Sequence, residues 1–97
     1  METYVILRRN GWATSDDLGE AAERSTAEGD RMPEDVRWIR SYVLEETDGT
    51  VGTVCIYQAS SPEAIRAHAA AAVLPVDEIV KVADTVVVRP DPTVITV

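Results

Sequence analysis

The sequence contains no phenylalanine, one cysteine and one histidine. A single cysteine cannot close an internal disulfide, and this usage fits a reducing cytoplasm. With one residue of each kind there is no CxxC, HxxxH or HExxH, so no metal motif of recognisable ligand spacing is present. Basic residues are scarce: Lys and Arg total 9 against 17 Asp and Glu, a formal net charge of −8. That argues against nucleic acid or an anionic membrane as partner, since phosphate binding needs concentrated positive surface. No stretch reaches the roughly 18 apolar residues of a membrane span, and no N-terminal apolar run has signal-peptide length. A glycine-rich phosphate loop and a nucleophile elbow are also missing.

What is present is a chain of 97 residues with 45% hydrophobic content, the size and composition of one folded domain. Residues 1–89 read as that domain and 90–97 as an appended C-terminal tail. Thr3–Arg9 is rich in β-formers and is expected as a strand, followed by a turn at Asn10-Gly11. Trp12 is expected to plug the edge of the core. Thr14–Glu28 reads as a helix capped by Thr14, with Leu18, Ala21, Ala22 and Ser25 on one stripe. Asp35–Glu46 and Val51–Gln58 read as strands joined by a hairpin at Asp48-Gly49. Ser61 caps a second helix with Pro62 in its first turn, and Pro75 ends it. Ile65, His68, Ala69 and Ala72 share one face of that helix. Val76–Val88 is expected as a last long strand, broken near Ala83-Asp84, and Thr93–Val97 as a short edge strand.

The order βαββαβ is the ferredoxin-like pattern, an α+β sandwich with both helices on one face of an antiparallel sheet. Strand parity sorts the sheet residues into two sets. Val5, Leu7, Ile39, Val43, Val54, Ile56, Val80 and Val82 are expected beneath the helices. Tyr4, Ile6, Arg8, Trp38, Arg40, Tyr42, Cys55, Tyr57 and Lys81 are expected on the other side. A side so rich in rings is too apolar to lie bare in water. Parity therefore points to a homodimer paired sheet to sheet, a dimeric α+β barrel.

Few residues can carry chemistry. Cys55 sits mid-strand, where it is either a small buried apolar side chain or a thiolate nucleophile or soft metal ligand. His68 lies on an alanine-rich stripe as a hydrogen-bonded buried histidine, or as a base or metal ligand. By parity the two fall on different sides of the sheet, and they meet only if that assignment is inverted. Neither alone nor together do they complete a tetrahedral site; Asp77, Glu78 or a second subunit would have to contribute. Trp38 and Tyr42, four residues apart, are expected on one face, packed at an interface or walling a planar ligand.

Val36-Arg-Trp-Ile-Arg-Ser-Tyr-Val43, Thr53-Val-Cys-Ile-Tyr57, Pro62-Glu-Ala-Ile-Arg-Ala-His68 and Leu74-Pro-Val-Asp77, in that order, resemble the small ferredoxin-like domain family whose best-described branch is called a nickel-binding protein. The resemblance runs from Thr3 to about Val82. It implies the ferredoxin-like fold, a dimer and nickel as a candidate ligand. Cys55, His68, Trp38 and Tyr42 match the pattern of the wider family. The leading expectation is a cytoplasmic homodimer binding a small ligand or a transition-metal ion, with Trp38, Tyr42, Cys55 and His68 as ligand contacts and His68 and Cys55 as metal donors. The alternative is a cofactor-independent oxygenase or isomerase of the dimeric α+β-barrel type, with His68 as base. A third reading is an accessory domain without a site.

Overall fold

The computed structural model describes residues 1–92. Its elements run β1 (Glu2–Trp12), α1 (Ser15–Asp30), β2 (Val36–Glu45), β3 (Val51–Ala59), α2 (Pro62–Ala72) and β4 (Glu78–Lys81). The strands form one antiparallel sheet in the order β2-β3-β1-β4, the ferredoxin-like arrangement. Local signals explain the helix starts. Thr14 and Ser61 are extended N-caps whose side chains accept hydrogen bonds from the Asp17 and Ala64 amides. Gly49 takes φ 86° in the β2–β3 hairpin, where a side chain would be strained.

Both helices cover the side of the sheet carrying Tyr4, Ile6, Cys55 and Tyr57, and Ile65 of α2 completes that core. Ile6 and Ile65 are sealed, each contributing roughly 1.5–3 kcal/mol through burial. This reverses the parity expectation. Residues of β1 and β3 partition as expected, with Tyr4 opposite Tyr57, Ile6 opposite Cys55 and Arg8 opposite Thr53. The helices, however, lie over the ring-bearing set. Val5, Leu7, Val54, Ile56 and Val80 form the uncovered face. The physical reason is volume. Both helices present alanines and serines, so large side chains must rise from the sheet to fill the layer between.

A second correction concerns β2. Trp38 pairs with Tyr57, but Arg40 pairs with Ile56, so Ile39 is one residue too many. This β-bulge inverts the strand's alternation beyond it. Ser41 and Val43 join the side of Trp38, whereas Arg40 and Tyr42 turn to the uncovered face. There Tyr42 donates to Asp91, which also pairs with Arg40.

The expected turn at Asn10-Gly11 is instead an irregularity within β1. Asn10 takes φ 52°, and pairing with β3 resumes only at Trp12 opposite Val51. Gly52 lies against this kink: a Cβ there would sit 2.7 Å from the Arg8 carbonyl oxygen. The Glu46 carboxylate accepts from the Asn10 amide at 2.8 Å and from the Arg9 guanidinium at 2.9 Å. Arg9 holds its pKa below the ordinary carboxylate value.

The last strand is shorter than expected. It stops at Lys81, and residues 83–92 carry no helix or strand. The expected edge strand at Thr93–Val97 lies outside the described residues.

Helix α2 ends on Val73 at φ 56°, ψ 58°, a left-handed cap usually given to glycine. The Leu74 amide reaches back to the Ala69 carbonyl at 2.8 Å, and Arg24 of α1 donates to the Ala72 carbonyl at 2.9 Å. The Val73 side chain is 70% exposed, so nothing rewards the branched residue there. Replacing Val73 with Gly should stabilise the fold by about 1 kcal/mol, read as a raised midpoint in urea or thermal unfolding; a loss of stability would contradict the strained cap.

Candidate functional site

Thin helices over a sheet of uneven side chains leave space. A cavity of about 500 Å³ opens between α1 and the sheet. From α1 it is lined by small residues, among them Gly19, Ala21 and Ala22. Trp12, Trp38 and Tyr57 supply ring walls, and Arg8, Thr53 and Cys55 supply polar groups. A smaller cavity of about 410 Å³ lies on the other side of Tyr57, toward the end of α1, and is lined by His68, Gly29 and Arg37 among others. Trp38, Tyr57 and Ser25 belong to both linings.

Cys55 is 4% exposed and lines the larger cavity. It stands in one directed hydrogen-bond chain. Trp38 Nε1–H donates to Ser41 Oγ at 2.8 Å, and Ser41 donates to Cys55 Sγ at 3.0 Å. The thiol in turn donates to Thr53 Oγ1 at 3.3 Å. Through this chain Cys55 links Thr53 to Ser41 and helps orient Trp38. Ser41 reaches Cys55 only because the bulge at Ile39 turned it inward.

His68 is 1% exposed. Its Nε2–H donates to the Ser25 carbonyl at 2.9 Å, and Nδ1 is buried without a hydrogen-bond partner among the described residues. The imidazole also packs against Tyr57, ring centroids 5.7 Å apart. Trp38 stacks with the same ring, centroids 6.2 Å apart at 13°. Tyr57 is thus the partition of the site, and its hydroxyl shares a hydrogen bond of 3.1 Å with Ser25. Burial raises the Tyr57 phenol above its ordinary pKa of 10.0; the Ser25 hydrogen bond and the Arg8 charge oppose that rise.

The four residues expected to share a site are therefore divided. Trp38 and Cys55 line the larger cavity, and His68 lines the smaller one beside Trp38. Tyr42 lies beyond the bulge, 45% exposed on the opposite face, and lines neither. Cys55 and His68 do occupy the same side of the sheet, as an inverted parity requires, but with Tyr57 between their cavities. Arg8 and Tyr57 stand as site residues that parity grouped with the ring-bearing face without assigning them a role. The missed signal was an arginine continuing the alternate set of Tyr4 and Ile6, which must find a partner once buried.

The model of a family described as nickel responsive protein SCO4226-like matches residues 4–82. The chain belongs to this SCO4226-like family. The crystal structure of SCO4226 from Streptomyces coelicolor A3(2) superposes with a TM-score of 0.66 at 26% sequence identity. The alignment covers 87% of this chain and 99% of that one. No curated protein matches. Nickel belongs to the family's description, so the donors here must be weighed against it. Among the described residues no group of three or more His, Cys, Asp or Glu is placed to hold a metal ion. Cys55 is engaged by two hydroxyls and His68 faces a different cavity. The donors among the described residues of this chain do not make a nickel site.

The perturbed phenol gives a pH signature. A raised folded pKa means that Tyr57 stabilises the fold fully below about pH 10 and loses that contribution as pH climbs through the folded value. Ultraviolet titration should show a late tyrosinate step coinciding with alkaline unfolding, absent in Tyr57→Phe. A Tyr57 that ionises with an ordinary phenol would contradict its burial between Trp38 and His68.

Proposed function

We propose that this protein is a small-ligand-binding protein and that the cavity beneath α1 is its binding chamber. One observation carries this reading: about 500 Å³ of space with a mostly apolar lining, walled by both tryptophans and Tyr57. Ligand sites are concave and largely apolar with a few placed polar groups, and their volumes span roughly 300–1,000 Å³. A space that merely reflected poor packing would cost stability in proportion to its volume, with no return. A metal ion is the weaker reading, because the donor set is incomplete within the chain. The enzyme reading lacks a base in the chamber, since the single histidine lies across Tyr57.

The second part of the proposal is a homodimer, on different grounds from the rings that parity suggested. The helix-free face carries the partly buried Val5, Leu7, Val54 and Ile56 and the exposed Val80 across three strands. Aliphatic surface of that extent on a soluble chain is suited to pairing with a twin sheet, as in a dimeric α+β barrel. Among the described residues no helix is long and apolar enough to cross a membrane, and the unpaired buried thiol suits a reducing cytoplasm.

Trp12 and Trp38 are the chain's two tryptophans and both line the chamber. Intrinsic fluorescence therefore reads occupancy directly. A panel of small aromatic and alicyclic compounds should include members that shift the emission saturably, and Ala22→Leu, which fills the chamber from α1, should abolish the shift. Sedimentation should give a dimer that Ile56→Glu converts to monomer. An emission unmoved by every compound would overturn the chamber, and a wild-type monomer would overturn the dimer.

A further inference from the structure

We propose that Arg8 is an anion receptor within the chamber and that the ligand is a small monocarboxylate with an apolar body. The inference rests on the ligand-binding reading above and specifies its chemistry.

Arg8 is 1% exposed, the largest side chain so fully buried. One nitrogen, Nη1, donates to the Pro75 carbonyl at 2.7 Å. The other, Nη2, is buried with no hydrogen-bond partner among the described residues, although the guanidinium lies near enough to the Tyr57 hydroxyl to oppose the rise in its pKa. Among the described residues no carboxylate lies within ion-pair distance of Arg8. Among the described residues the ion pairs are Arg9–Glu46, Arg31–Glu28, Arg40–Asp91 and Lys81–Glu2. The residues lining the chamber include no Asp or Glu, in a chain that has 17. A guanidinium cannot shed its proton to escape burial. An unpaired charge inside a protein is costly and persists where something else completes it. The chamber is a positive hole in an acidic molecule, with a free donor on its wall.

The surroundings select among anions. Arg40 borders the chamber at the bulge, but its guanidinium turns to the helix-free face and pairs with Asp91, so Arg8 is the cation left to a ligand. One guanidinium balances one negative charge, and a dianionic phosphate would bring uncompensated charge into a largely apolar space. A carboxylate matches the donor geometry of arginine and carries the single charge. Thr53, opposite Arg8 across the β1–β3 ladder, and Tyr57 add hydroxyls near the same wall. The rest of the ligand would lie among Trp12, Trp38 and the alanines of α1, which suits a flat or compact hydrocarbon body. The anchoring also has a structural origin. The left-handed turn at Val73 precedes Pro75, whose carbonyl holds Nη1 and leaves Nη2 free.

The test compares acids with their uncharged isosteres: phenylacetate against phenylacetamide, and cyclohexanecarboxylate against its amide, by titration calorimetry and tryptophan fluorescence. Each acid should bind the wild-type protein about ten- to a hundred-fold more tightly than its amide, the worth of a hydrogen bond to a charged group. Arg8→Met should erase that preference while amide affinity holds, and Arg31→Gln, at an exposed arginine that lines neither cavity, should keep it. Equal affinity of acid and amide for the wild-type protein would overturn the assignment of Arg8 while leaving the chamber standing, a result that does not depend on whether the Met variant folds. If neither acids nor amides bind, the chamber itself fails and the receptor with it.

Discussion

The structure depends on a mismatch of volume between its two layers. Helices built from alanine, serine and glycine lie over a sheet and bring little bulk of their own. The large groups must therefore come from the sheet, which is why the face of Tyr4, Ile6 and Tyr57 is the covered one. Where the sheet side chains are large and apolar, the layer closes into core around Ile6 and Ile65. Where the sheet offers Thr53 and Cys55 opposite Gly19, Ala21 and Ala22, it does not close, and the chamber is what remains.

Two irregularities shape that chamber. The bulge at Ile39 gives β2 a change of face, so that one edge strand sends Trp38 and Ser41 inward and Tyr42 outward. Inward, Ser41 links Trp38 to Cys55 and holds the indole against the Tyr57 ring. Outward, Tyr42 and Arg40 hold Asp91 against the uncovered face. The kink at Asn10 does comparable work at the end of β1. It shifts the register so that Trp12 closes the chamber's far wall, and Glu46 fastens the kink through the Arg9 side chain and the Asn10 amide. Neither irregularity is a defect, since each sets which side chains of its strand face the cavity.

The element order was legible in the chain because each boundary carries its own chemistry. Thr14 and Ser61 cap, Asp48-Gly49 turns, and Pro62 sits where a missing amide costs nothing. The partition of β1 and β3 into two faces was legible for the same reason, as alternation needs no tertiary information. Which face would be covered was not legible from hydrophobicity, because both sets are apolar enough; packing volume decided it. The loss of alternation in β2 was hidden, since a bulge adds one residue without a glycine to mark it. Of the site, Cys55 and Trp38 were recognisable as rare residues in a strand. His68 was also singled out, yet its role is set by the Ser25 carbonyl, a backbone atom that no side-chain pattern reveals. Arg8 went unassigned because a charged residue in a strand ordinarily faces water.

The covering of the ring-bearing face is the claim on which the chamber stands, and the single histidine makes it directly measurable. A nuclear Overhauser experiment on the labelled protein should connect the Tyr57 ring protons to the imidazole protons of His68, with ring centroids 5.7 Å apart. Cross-peaks from Tyr57 to Tyr42 in place of His68 would put Tyr57 on the helix-free face and contradict the account.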